Sequence, residues 1–193
     1  MVPKTGESFW RNAPPFHEDR GGTLVVRTGK DTDWWNNTFY GFKHDNGHFR
    51  ATPVSGDFSL ELSFAAEYRR LYDQAGAMLF VDGNNWLKCG VEFTDGHMHF
   101  SVVVTRDDQS DWSVMPLMVE PSTRVTLRLT RHAEALRVQI QLADGTWALV
   151  RLCYLRMPDT VEVGPMTCSP TGEGLEVTFS RINVGEPISR ELH

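Results

Sequence analysis

An all-β sandwich of two packed antiparallel sheets with little helix is the fold that this sequence predicts, and three observations predict it. Apolar and polar residues alternate with period two along most of the chain, whereas apolar positions at i, i+3, i+4 and i+7 are hard to find over any helical length. The alternating runs recur every roughly 8 to 12 residues, the spacing of sandwiches and jelly rolls. Asp82-Gly83, Asp95-Gly96 and Asp144-Gly145 can supply the positive φ of tight hairpin turns, so consecutive strands mostly run antiparallel. A closed barrel is the alternative architecture.

Thr23–Thr28 and Phe58–Phe64 are the first two strands. Ala75–Val81, the longest apolar run at seven residues, is the third. Trp86–Phe93 follows, and its alternation places Leu87, Cys89, Val91 and Phe93 toward a core and Trp86, Lys88, Gly90 and Glu92 on the other face. His97–Thr105 comes next. Arg124–Thr130 and Leu136–Leu142 make a hairpin with Leu127, Leu129, Leu136, Val138, Ile140 and Leu142 on its core face. Its opposite, wet face carries Arg124, Thr126, Arg128, Thr130, Arg137, Gln139 and Gln141. Thr146–Leu152, Thr160–Pro165 and Gly174–Val184 complete ten strands. No linker, repeat or low-complexity tract interrupts the pattern, so residues 1–193 read as a single domain with its core at about 22–184.

Composition excludes several functions. The net charge is −6 and no basic cluster is longer than Arg69-Arg70, which argues against a nucleic-acid partner. No apolar run approaches the roughly 18 residues that span a bilayer, and the segment MVPKTGESFW lacks the pattern of a signal peptide. Cys89, Cys153 and Cys168 lie far apart with no CxxC, which suits three free thiols in a reducing compartment, and a cytoplasmic location is expected. No metal or cofactor is expected. There is no glycine-rich phosphate loop and no G-x-S-x-G elbow, and Asn46-Gly47 breaks the helical geometry that would make His44 and His48 a clamp. His97 and His99 share a strand face, a pattern commoner in packed or exposed histidines than in ligands.

Three segments depart from plain sandwich patterning: Thr32–His48, Tyr72–Phe93 and Ser110–Ser113. On the strand after Asn85, an aromatic, an ammonium and a carboxylate stand in a row about 7 Å apart, with Gly90 leaving space between Lys88 and Glu92. Such a row reads either as the floor of a ligand groove or as a solvated face with one weak ion pair. Tyr72 and Gln74 share a face, and Asp73 points the other way, toward ligand or toward backbone amides. Trp34, Trp35 and Tyr40 surround Asn36 and Asn37 in a long segment that would cover this face, and Trp112 offers a second cover.

Taken together, TDWWNNTFYGFKHDNGHF, GDFSL, LYDQAGAMLF, NNWLKCGVEF, SDWSVMP and VGPMTCSP with GLEVTF resemble the DUF1349 family, a group of unknown function in the concanavalin A-like lectin/glucanase superfamily. The resemblance implies a concanavalin A-like jelly roll. Related modules accompany β-xylosidases, and some members are labelled for regulation of enolase, a name that supplies no chemistry. The superfamily's glucanases carry E-x-D-x-E on one strand, which is absent here, and Asp82-Gly83-Asn84-Asn85 is too short for a legume-type metal loop.

These readings converge on a carbohydrate or small polar ligand bound on a concave sheet. Trp86, with Trp34 or Trp112, would form the stacking platform, and Lys88, Glu92, Gln74 and His48 would bond hydroxyls. His48, Gln74, Trp86, Lys88, Glu92 and Trp112 are expected to line one cavity, with Trp34 or Trp35 at its rim. Two alternatives stand beside this: an enzyme acting on a glycoside or sugar acid through Glu92 with Asp73 or Asp111, and a non-catalytic regulatory protein that binds another protein.

Overall fold

The computed structural model describes residues 3–192, and among them lie seventeen strands and no helix. In chain order these are β1 (Lys4–Thr5), β2 (Phe9–Arg11), β3 (Phe16–Arg20), β4 (Thr23–Arg27), β5 (Trp34–Asn36), β6 (Lys43–Asp45), β7 (His48–Ser55), β8 (Phe58–Ala66) and β9 (Gln74–Asp82). They continue as β10 (Asn85–Thr94), β11 (His97–Arg106), β12 (Gln109–Pro116), β13 (Val125–His132), β14 (Ala135–Gln141), β15 (Trp147–Tyr154), β16 (Thr160–Cys168) and β17 (Glu176–Gly185). The first sheet runs β1-β7-β16-β9-β10-β11-β12, with β2 also paired to β7. The second runs β15-β14-β13-β8-β17-β4-β3. β5 and β6 pair only with each other and form a hairpin arm.

All ten strands read from the sequence are present, with ends shifted by a few residues. β7 escaped because Pro53 interrupts it, and proline argues against an interior strand. Here Pro53 lies where the short β1 adds to β7, and its carbonyl accepts the Gly6 N–H at 2.8 Å. β12 escaped because its turn from β11 has no glycine; Asp107 and Asp108 themselves adopt φ of 48° and 66°. Ser110–Ser113 is therefore strand rather than a covering loop. Asp95 and Gly96 both take positive φ, as a primed turn requires. The Asp82-Gly83 turn does not use that conformation; the Asp82 carboxylate instead accepts the Asn84 N–H at 2.8 Å.

A single core fills the space between the sheets. Leu60, Leu62, Phe64, Leu127, Leu129 and Phe179 come from one side, and Leu79, Leu87, Val91, Phe100 and Val102 from the other. The β13–β14 hairpin puts Leu127, Leu129, Leu136, Val138 and Ile140 there as expected, but Leu142 lies past the end of β14 and is exposed. Nor is its other face wet throughout. Thr130, Arg137 and Gln139 are buried because the C-terminal segment crosses them, with Arg137 Nη1 donating to the carbonyl of Glu191 at 3.0 Å.

A second apolar cluster lies on the outward face of the first sheet. Trp34 from the arm packs with Phe49, Met78, Phe80, Trp86, Val103 and Met166. The contact needs Gly47, because a Cβ there would come within 2.3 Å of the Trp34 ring. Cys89 and Cys168 are buried, Cys153 is half-buried, and all three thiols are free.

Candidate functional site

β10 delivers its residues as the alternation predicts. Leu87, Cys89 and Val91 enter the core, while Trp86, Lys88 and Glu92 face outward, yet all six are buried. Between Lys88 and Glu92 stands Gly90. A Cβ on it would meet the Ala75 carbonyl at 2.2 Å, and one on its partner Gly76 would meet the Cys89 carbonyl at 2.0 Å. The glycine pair thus lets the backbones of β9 and β10 approach closely; only a void of about 10 Å³ lies above them.

Beyond this point the outward face opens into a cavity of about 340 Å³. Its floor is Gln74 on β9, Lys88 and Glu92 on β10, Val103 on β11 and Trp112 on β12. The arm supplies one wall with Trp35, Tyr40, Phe42 and His44. Tyr72, Asp31, Asp33, Pro170 and Thr171 close the rest.

The floor is hydrogen-bonded throughout. Lys88 Nζ donates to Asp33 Oδ1 at 2.8 Å and to Gln74 Oε1 at 2.9 Å. Burial opposes the ammonium, but the Asp33 and Glu92 carboxylates outweigh it and hold Lys88 above its ordinary range. Asp33 is fixed in turn, because Asp33 Oδ1 accepts the Trp34 N–H at 2.7 Å and the Asn46 side chain accepts the Asp33 N–H at 2.9 Å. Trp112 Nε1 donates to Ser101 Oγ at 3.0 Å, and Ser101 Oγ donates to Glu92 Oε2 at 3.0 Å. Burial pushes the Glu92 carboxyl up to about 7, against the opposing pull of Lys88 and Ser101. Near neutral pH Glu92 is therefore poised to donate or to accept a proton.

The arm is fastened rather than loose. Asn36 Nδ2 donates to Asp108 Oδ1 at 2.7 Å and to the Gly83 carbonyl at 2.8 Å, Asn37 Nδ2 donates to Asp108 Oδ2 at 2.8 Å, and Lys43 Nζ pairs with Asp108 Oδ1 at 2.7 Å. Asn36 and Asn37 thus bolt the aromatic wall to the β9–β10 and β11–β12 turns. Tyr72, on the other wall, adopts φ of 66°, an uncommon backbone for a bulky residue. Burial and the neighbouring Tyr40 phenol push its hydroxyl up.

Of the residues singled out in the sequence, Trp35, Tyr40, Tyr72, Gln74, Lys88, Glu92 and Trp112 meet in this cavity. Trp86, Trp34 and His48 do not. Trp86 is fully buried under Trp34, their rings 6.0 Å apart and edge-on, so neither can be a stacking platform. His48 is buried and both ring nitrogens are used. Nδ1 donates to the Asn12 carbonyl at 2.7 Å, and Nε2 accepts the Gly29 N–H at 2.9 Å. Burial holds its pKa below the ordinary histidine value.

Neither proposed catalytic partner reaches Glu92. Asp73 is buried in a bend, where Oδ2 accepts the Arg70 N–H at 3.0 Å and Oδ1 accepts from Ser169 Oγ at 2.6 Å. Asp111 lies on the β12 face opposite Trp112, paired with Arg106 at 2.8 Å and Arg151 at 2.5 Å. The carboxylates that do join the site are Asp31 and Asp33, which the sequence reading passed over, and Asp33 is the one bonded to Lys88. A signal for it existed: a lysine on a strand buried on both faces needs a carboxylate, and Asp33 directly precedes the tryptophan pair. No group of three or more His, Cys, Asp or Glu that could hold a metal gathers among the described residues.

The two packed antiparallel sheets make an all-β jelly roll, a fold shared with about a third of a xylan beta-1,4-xylosidase from Bacillus halodurans, with a TM-score of 0.67 at 15% identity. The chain belongs to the family described as "Protein of unknown function (DUF1349)", whose profile matches residues 10–187. It is 38% identical over 187 residues to "Regulation of enolase protein 1" of Saccharomyces cerevisiae, covering 97% of this chain and 93% of that one. A crystal structure of a functionally unknown protein from Saccharomyces cerevisiae superposes with a TM-score of 0.89 at 37% identity, over 94% of this chain and 97% of that chain. Carbohydrate binding module CBM66 from Bacillus subtilis shares the fold alone, with a TM-score of 0.57 at 11% identity over 92% and 95% of the two chains.

Proposed function

We propose that the cavity on the outward face of the first sheet binds a neutral carbohydrate or a sugar-like ligand without transforming it. One observation carries the reading: Trp35 and Tyr40 stand over a floor in which Gln74, Lys88 and Glu92 lie beside Trp112, in a single cavity of about 340 Å³. A sugar ring has apolar faces edged by hydroxyls, so it matches aromatic walls over polar atoms that both donate and accept. The likeness of the fold to a carbohydrate-binding module supports the same reading. Binding without hydrolysis is the reading the carboxylates favour, since Asp33 is held by Lys88, Asp31 is exposed beside Lys30, and neither Asp73 nor Asp111 faces Glu92.

Calorimetric titration with xylose, glucose and their β-1,4-linked oligomers tests the proposal. It expects saturable binding that Trp112→Ala weakens about tenfold, with no sugar cleaved. Absence of heat with every sugar, with the protein shown to be folded, would overturn it.

The name of the yeast relative favours a second reading, a regulatory protein that contacts another protein through the arm. That reading predicts association with a protein partner that saturating sugar neither promotes nor displaces.

A further inference from the structure

We propose that the ligand is a chain of sugar units rather than a single one, and that Phe39, at the tip of the arm, is a second binding position outside the cavity; this rests on the sugar-binding reading above. Phe39 lies in the turn between β5 and β6 and is 92% exposed. It gains almost nothing from folding. Its φ is 66°, the left-handed region where a bulky side chain crowds its own backbone. Most other non-glycine residues in that conformation are asparagine or aspartate, as at Asn12, Asp31, Asn37, Asp95, Asp107 and Asp108; Tyr72, Ala133 and Arg181 also adopt it, but none of these is an exposed large apolar side chain. A large apolar side chain in a disfavoured conformation, standing in water, is hard to explain by stability.

Nor is the tip free to collapse onto the protein. Asn37 N–H donates to the Phe42 carbonyl at 2.8 Å and Gly41 N–H to the Asn37 carbonyl at 2.7 Å, while the Asn37 side chain is tied to Asp108. Phe39 is held outward by a fastened turn, so a ligand meeting it pays little ordering entropy.

The rings around it form one continuous series. Trp35 and Tyr40 are 5.8 Å apart, Tyr40 and Phe42 stack at 5.1 Å with planes 11° apart, and Phe39 meets Tyr40 edge-on at 5.0 Å. Trp35, Tyr40 and Phe42 line the cavity; Phe39 does not, and it continues the ring series from Tyr40 into solvent. At about 340 Å³ the cavity is at the low end of the roughly 300 to 1,000 Å³ typical of small-ligand sites. A chain with its end in the cavity would carry its next units across Phe39.

The test is titration of β-1,4-linked xylose and glucose oligomers of one to six units against the protein, Phe39→Gly and Phe39→Trp. Affinity is expected to rise about threefold to tenfold over the first units and then level off. Phe39→Gly should keep the affinity for single sugars, lose the gain with length and melt no lower than the parent, whereas Phe39→Trp should keep the gain. Equal affinity for single sugars and oligomers, or an undiminished gain in Phe39→Gly, would overturn this inference and leave the cavity reading standing. Binding of no sugar by the folded protein would overturn both. Self-association in the ultracentrifuge that Phe39→Gly abolishes, with the gain in affinity intact, would assign the tip to protein contact instead.

Discussion

The outward face of β10 has two ends, and they differ in what covers them. At Trp86 the base of the arm closes down: Trp34 and Phe80 pack against the cluster with their rings 5.8 Å apart, and no solvent reaches the indole. Two and six residues further along, Lys88 and Glu92 lie under the cavity, where the arm stands off as a wall instead of a roof. The alternation of faces from Trp86 to Glu92 is the same at both ends, the one shift in register to β9 falling between Asn85 and Trp86. A covering side chain turns one end into core, while at the other the absence of a cover leaves buried charges facing an open space. Alternation along a strand therefore assigns a face, and the neighbouring segment decides whether that face becomes core or site.

The comparison can be broken most forcefully at Trp86. Truncating it to alanine should cost about 3 to 5 kcal/mol in urea denaturation, and sugar affinity of the folded fraction should hold. A small stability change together with lost binding would return Trp86 to the site. At the open end, Lys88→Met leaves the Asp33 carboxylate without its partner and should cost about 3 kcal/mol, read by the same denaturation. A stability equal to the parent would show that the buried pair adds nothing.

Glu92 gives the open end a signature in pH. Its folded pKa is raised to about 7 from an ordinary value near 4.5, so the folded state holds a proton that the unfolded state releases. The associated stability is fully present below about pH 4.5 and is lost as pH rises through about 7, by at most about 3 kcal/mol. His48, at the closed end, acts in the opposite sense. Its lowered pKa contributes stability above the ordinary histidine value, and that stability is lost as pH falls through the folded pKa. Comparing the parent with Glu92→Gln at pH 5 and pH 8 isolates the first effect. The variant should gain relative to the parent as pH rises, and a constant difference would contradict the burial argument. The smallest stability effect belongs to Trp112, which is 41% exposed. Its alanine variant should lose less than about 1 kcal/mol of stability while losing sugar affinity.

Most of the architecture was legible because period-two alternation and Asp-Gly turns are local signals. β7 was not, since Pro53 is tolerated only through its placement beside β1. The hairpin in the arm was hidden too, because β5 (Trp34–Asn36) and β6 (Lys43–Asp45) are three residues each, too short to show an alternation. At the site, parity along β10 brought Lys88 and Glu92 together, and Gln74 sits opposite Glu92 in register. Trp86 misled because its cover comes from Trp34, 52 positions away and on a strand that does not pair with β10. Asp33 was passed over for the same physical reason, since it acts only once the arm has folded back over the first sheet.

If the cavity binds sugar as proposed, ligand meets the open end of this face and never the closed one. The indole N–H resonances of Trp34, Trp35, Trp86 and Trp112, followed by ¹H–¹⁵N spectroscopy while xylo- and cello-oligosaccharides are added, test it directly. The Trp35 and Trp112 signals should move in a saturable way while those of Trp34 and Trp86 stay in place. Movement of Trp34 and Trp86 with Trp35 and Trp112 unchanged would contradict it.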